Sequence, residues 1–168
     1  MITLQEKEHL VFKLGISGTF WDRRPKFEIL LNDEIIKSGE IAADSDVVEY
    51  HEFSAEVEHD QDHVVSVKFT NKTSDQTVKA PESTEENLVI AKDMLLNIVS
   101  LEINDVEIPI GADYGIDEKF GVYRVDVPVN YKGQENVTDI PGIKNLGWNG
   151  RYDVPFRSPF YIWLLENI

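Results

Sequence analysis

The 168-residue chain, with a formal net charge of −15 and no cysteine, fits one domain or one domain with an arm and can bury about 70% of its unfolded surface. Without cysteine it has no disulfides, thiolate nucleophiles or cysteine-based zinc sites, and its acidity argues against a nucleic-acid partner, because polyanions are held by lysine and arginine. The start, MITLQEKEHLVFKL, lacks the basic residues and apolar run of a signal peptide, and no stretch approaches the ~20 apolar residues of a membrane helix.

The first hundred residues alternate with period two. Phe12, Leu14 and Ile16 share one parity, and Phe27, Ile29 and Leu31 another. Val47, Phe53, Ala55 and Val57 form a third set, and Val65, Val67 and Phe69 a fourth. This is the pattern of half-buried strands, in which successive side chains point to opposite faces. Asn32-Asp33 and Glu58 to Asp62 supply turn chemistry between them. Ser83-Thr84-Glu85-Glu86 matches a capping box, but Leu88-Val89-Ile90 is rich in β-branched residues, so a turn followed by a strand is expected. From Met94 to Ile103 both parities are apolar, which predicts a central strand covered on both faces.

The composition then changes. Residues 109–168 hold seven of the ten glycines and five of the seven prolines. Residues 1–108 carry 10 basic and 23 acidic side chains, whereas residues 109–168 carry 6 and 8. The expected division is a β-sandwich core over 1–108, a loop-rich extension over 109–158 and a terminal strand over 159–168. Phe160 to Leu165 is apolar on both parities, so that strand is expected to close the domain or an interface.

No Gly-x-Ser-x-Gly elbow, phosphate loop or HExxH motif is present, so no enzymatic activity is expected. His59 and His63 flank Asp60 and Asp62 in what reads as a solvated hairpin turn rather than a metal cluster. The loop Phe20-Trp21-Asp22-Arg23-Arg24-Pro25 sets an aromatic pair beside charged groups, so Trp21 either stacks on a ligand or plugs the end of the sandwich.

Two sets of phrases carry resemblances. Phe69-Thr70-Asn71, Asp93-Met94-Leu95 and Asn97 to Ile103 resemble the calcium-dependent xylan-binding carbohydrate-binding modules, over roughly residues 9–108. The resemblance implies an antiparallel, jelly-roll-like β-sandwich, with Trp21, Asp22, Asn71 and Asp93 near a ligand. It also implies calcium, for which Asp93, Asp75 and Asp22 are the candidate ligands. The family pattern has an acid after Asn71; this chain has Lys72, a cation that opposes calcium.

Gly18 to Asp22, Lys92 to Ile98 and Pro159 to Asn167 resemble small proteins of tailed bacteriophages of the marine and cyanobacterial type. That resemblance implies a virion protein, such as a decoration, neck, baseplate or fibre-associated component, assembled in the bacterial cytoplasm. The leading expectation is therefore a non-enzymatic assembly protein contacting other virion proteins and copies of itself. Trp148, Tyr152, Phe160 and Trp163 are the candidate interface residues, since rigid aromatics carry much interface energy. The alternative is a carbohydrate-binding module, cation-dependent if the calcium resemblance holds, that recognises a polysaccharide or host glycan.

Overall fold

The computed structural model describes residues 6–110 and 120–167. Thirteen strands, one α-helix and a short 3-10 turn (Ser74–Gln76) are present among them: β1 (Lys7–Thr19), β2 (Lys26–Leu31), β3 (Glu34–Glu40), β4 (Glu49–Glu58), β5 (Asp62–Phe69), β6 (Val78–Lys79), β7 (Ile90–Lys92), β8 (Leu95–Ile103), β9 (Val106–Glu107), β10 (Val122–Tyr131), β11 (Gln134–Pro141), β12 (Asn145–Leu146), β13 (Gly150–Arg157) and α1 (Phe160–Asn167). One sheet runs β12-β8-β1-β4, with β9 paired to β8; the facing sheet runs β11-β10-β13-β5-β2-β3. All their pairings are antiparallel. The expected all-β sandwich is therefore present.

Alternation builds the core. Leu10, Phe12, Leu14 and Ile16 on β1 face Phe27 and Ile29 of β2 and Val65, Val67 and Phe69 of β5, all buried in one cluster. Phe12 stacks on Phe53 at 4.7 Å between ring centroids, a contact worth about 0.5–1.5 kcal/mol beyond its buried area. Three hairpins are closed by two-residue loops whose residues both have positive φ: Asn32-Asp33, Asn104-Asp105 and Lys132-Gly133. That backbone twist matches the twist of the flanking strands. The Glu58–Asp62 turn instead carries the chain from β4 in one sheet to β5 in the other.

Three expectations need correction. The strand ending at Ile103 is not covered on both faces. Gly15 pairs with Ser100 and Ile16 with Ile98, so Val99 is an extra residue bulged out of the ladder. The bulge switches parity: Leu96 and Ile98 before it and Leu101 and Ile103 after it all point inward, while Val99 is 36% exposed.

Second, the sandwich is not completed within residues 1–108. β10, β11 and β13 form half of the second sheet, and β13 lies in its middle, between β10 and β5. The prolines and glycines there suit the strands that hold them. Pro155 lies beyond Gly150–Asp153, the part of β13 that pairs with β10, so its missing N–H interrupts no ladder on that side. A Cβ at Gly150 would lie 2.3 Å from the Arg124 carbonyl oxygen, so only glycine lets the two backbones approach.

Third, Phe160–Asn167 is helical rather than a strand. A six-residue apolar run does not distinguish the two periods. Phe160 and Leu164, one turn apart, are buried, and Glu8 Oε1 accepts the Phe160 amide at 2.9 Å, satisfying a donor that helix geometry leaves free.

Candidate functional site

The end of β5, the middle of β10 and the turn after β12 surround a cleft of about 550 Å³. Its walls are the segment after β5 (Lys72, Thr73, Ser74, Thr77), the middle of β10 (Asp126, Val127, Val129) and the turn before β13 (Gly147, Trp148, Asn149). The cleft exists because β10 pairs with β13 only from Val122 to Val125. Beyond that point the Asp126 amide bonds the Asn149 carbonyl, in the turn before β13, at 2.9 Å.

The walls are tied together. Asn149 Oδ1 accepts the Lys72 amide at 2.7 Å, and Asn149 Nδ2 donates to the Lys72 carbonyl at 3.0 Å. The Tyr123 hydroxyl accepts the Trp148 amide at 2.8 Å and donates to the Trp148 carbonyl. Burial pushes the Tyr123 phenol far above its ordinary range, against the opposing pull of the Trp148 amide, so the group stays protonated as this bridge requires. Trp148 itself is 38% exposed. The result is a half-open indole on a fixed backbone, beside a carboxylate, a carboxamide and three hydroxyls.

The sequence candidates fall in three places. Asn71 is spent on the fold: its Oδ1 accepts the Lys26 amide at 2.8 Å and its Nδ2 donates to the Arg24 carbonyl at 3.0 Å. Trp21, Asp22 and Asp75 meet around Gln76. Trp21 Nε1 donates to the Gln76 carbonyl at 3.0 Å, and Gln76 Nε2 donates to Asp22 at 3.2 Å and Asp75 at 3.4 Å. Lys92 Nζ lies 4.9 Å over the Trp21 ring. Asp75, at the surface, is held below the usual carboxylate range by the Thr73 hydroxyl, then by Gln76 and Arg23. Asp93 is a separate centre. Its Oδ1 accepts Lys72 Nζ at 2.6 Å, the Thr77 hydroxyl at 2.7 Å and the Met94 amide at 2.8 Å.

Two of the four interface candidates are not available to a partner. Tyr152 and Phe160 are core residues; β13 is a central strand, and Phe160 lies on the buried side of α1. Trp163 packs edge-on against Phe120 at 5.9 Å and is partly buried. Only Trp148 of the four lines the cleft. Sequence reasoning missed Asp126, Asn149, Thr73, Ser74, Thr77 and the Tyr123 bridge, because they come from three segments far apart in the chain and match no spacing pattern.

The chain is similar in structure to vCBM60 in complex with galactobiose, with a TM-score of 0.51 and 9% sequence identity over 86% of this chain and 96% of that one. It is also similar to the selenomethionine form of vCBM60, solved where circular permutation links two families of calcium-dependent carbohydrate-binding modules. That match has a TM-score of 0.50 and 10% identity over 86% of this chain and 89% of the other. The sandwich has the fold of a carbohydrate-binding module. No protein-family model and no curated protein matches the sequence.

A carbohydrate-binding-module fold linked to calcium requires a test of the donor set. Calcium takes six to eight oxygen ligands, commonly several carboxylates. Among the described residues no three His, Cys, Asp or Glu side chains group around one point. The three candidate carboxylates do not share one point: Asp22 and Asp75 meet at Gln76 Nε2, while Asp93 is paired with Lys72, an ammonium 2.6 Å away. Asp93, with Lys72 on its Oδ1, does not fit a calcium ligand set that includes all three candidates.

Proposed function

We propose that this protein is a non-catalytic carbohydrate-binding module that takes a glycan in the cleft walled by Trp148, Asp126, Asn149 and the hydroxyls of residues 73–77. The observation that carries the reading is the half-exposed indole of Trp148 fixed among those polar groups. A sugar ring has an apolar face suited to an aromatic surface and a rim of hydroxyls that need donors and acceptors. Ligand sites of about 300–1,000 Å³ combine these two kinds of surface. Asn149 retains one donor and one acceptor position after its bonds to Lys72. The likeness to a module solved with galactobiose supports the same reading.

This reading displaces the virion-assembly expectation. That expectation rested on the phage resemblance and on an aromatic-bearing arm; of the arm's candidates, β13 is a central strand and Tyr152 and Phe160 are buried. The comparisons bring carbohydrate-binding modules rather than virion proteins.

The test is a glycan array spanning galacto- and xylo-oligosaccharides, followed by calorimetry on the sugars it returns, galactobiose included. Trp148→Ala should weaken binding roughly tenfold to hundredfold, the loss of about 100 Å² of apolar contact, without shifting thermal stability appreciably. No binding to any glycan, with or without calcium, would sink the proposal.

A further inference from the structure

Lys72 is pinned at both ends. Its amide and carbonyl are held by Asn149, and its neighbour Asn71 is held by the backbone of Lys26 and Arg24. Its side chain is only 8% exposed, and Nζ lies 2.6 Å from Asp93 Oδ1 and 2.6 Å from the Met94 carbonyl. The same Asp93 oxygen also accepts the Thr77 hydroxyl and the Met94 amide, so its lone pairs are fully used.

The geometry points to the Lys72 ammonium as the resident cation of this site, and to glycan binding in the adjoining cleft that needs no calcium. The second half rests on the proposed function above; the first does not. An ammonium supplies one positive charge and three donors, enough to neutralise a single carboxylate and engage a carbonyl. For a calcium ion to take this Asp93 oxygen, the ammonium would have to withdraw. The bonds of Asn149 to its backbone oppose that movement, and a neighbouring cation would meet like charge. Thr77 extends the arrangement into the cleft: its hydroxyl bonds Asp93, and the residue lines the cleft wall. The charge pair thus braces the wall that the proposed glycan meets.

The experiment has three arms on the full chain. First, thermal unfolding is followed in EDTA and in millimolar calcium chloride. Midpoints should agree within about 1 °C; a calcium-dependent rise of roughly 5–10 °C, expected of a well-saturated native-state site in a chain this size, overturns the inference. Second, Lys72→Met should lower the midpoint by several degrees by stranding the Asp93 carboxylate, and Lys72→Met/Asp93→Asn should recover most of the loss. An unshifted Lys72→Met protein overturns the inference; if Lys72→Met alone does not fold, the double variant must, and a double variant that also fails to fold overturns it too. Third, the affinity for galactobiose, or for whichever glycan the array returns, is measured in both buffers. Agreement within twofold supports the inference, and binding only with calcium overturns it. Absence of glycan binding in both buffers sinks the glycan reading alone, while the first two arms still decide the role of Lys72.

Discussion

Tyr123→Phe removes one oxygen and nothing else from the core, yet that oxygen holds both peptide groups of Trp148. A net hydrogen bond contributes about 1 kcal/mol, and an unpaired buried group costs more. Trp148 is partly exposed to the cleft, so water can reach some of what the hydroxyl releases. The expected destabilisation is about 1–2 kcal/mol, or roughly 2–8 °C in Tm for a chain of this size. Because the ring stays in place, the loss should be felt most in the Trp148 turn. Glycan affinity should fall several-fold at 25 °C, where the variant remains folded. Differential scanning calorimetry and isothermal titration on the same preparation check both effects. A Tm within 1 °C of the parent together with unchanged affinity would refute the claim that Tyr123 positions the indole.

Three further outcomes follow from the packing. Gly150→Ala sets a Cβ 2.3 Å from the Arg124 carbonyl oxygen and 2.8 Å from Val125 Cα; urea unfolding should show a loss of about 3 kcal/mol or more, and an unchanged midpoint would contradict the close approach. At the bulge, Val99→Thr should cost no more than about 0.5 kcal/mol, whereas Leu101→Ala should cost about 2–5 kcal/mol; equal costs would restore the strand covered on both faces. Glu49 accepts the amides of Ala42 and Ala43 at 2.8 and 3.0 Å and pairs with His51 at 2.7 Å. Burial opposes its ionisation, but the Ala43 amide, His51 and the Ala42 amide together hold its carboxyl below the ordinary 4.5. Its folded pKa is therefore the lower one, so its stabilisation is present above pH 4.5 and is lost as pH falls through the folded value. Glu49→Gln should be less stable than the parent at pH 7 and converge with it in acid, as followed by unfolding midpoints across pH 2–7.

The strands of the first hundred residues were legible because each buries one face, and a half-buried strand writes its period into the chain. β1, β2 and β5 show this, as does the Asn32-Asp33 loop, whose residue types tolerate the required positive φ. Legibility failed where two signals coincide. The Met94–Ile103 run looks apolar on both parities because one bulged residue, Val99, changes the phase midway. Phe160–Leu165 is too short for its period to separate helix from strand. Proline and glycine density misled for another reason: Pro155 and Gly150 mark where a central strand loses one neighbour or meets one closely, which composition reads as irregularity.

The site was legible only at its edges. Asp93 and Lys72 both drew attention, one as a ligand and the other as an obstacle to calcium, and the two form one pair. Their partnership could not be read from spacing, because the excursion through β6 and β7 lies between them and the backbone clamp on Lys72 comes from Asn149, 77 residues further on. A cation delivered by the chain has a consequence that a bound ion does not. It is ordered once, when the protein folds, and no binding equilibrium has to be met before the adjoining wall is formed. The acidic surface of the chain, net −15, would concentrate divalent cations near it whether or not any site holds them. Sensitivity of binding to ionic strength is therefore no sign of a calcium site. The discriminating comparison is calcium against magnesium at equal ionic strength. Diffuse screening treats the two alike, whereas a site of six to eight oxygens at calcium distances does not, and a lysine-filled site predicts the first result.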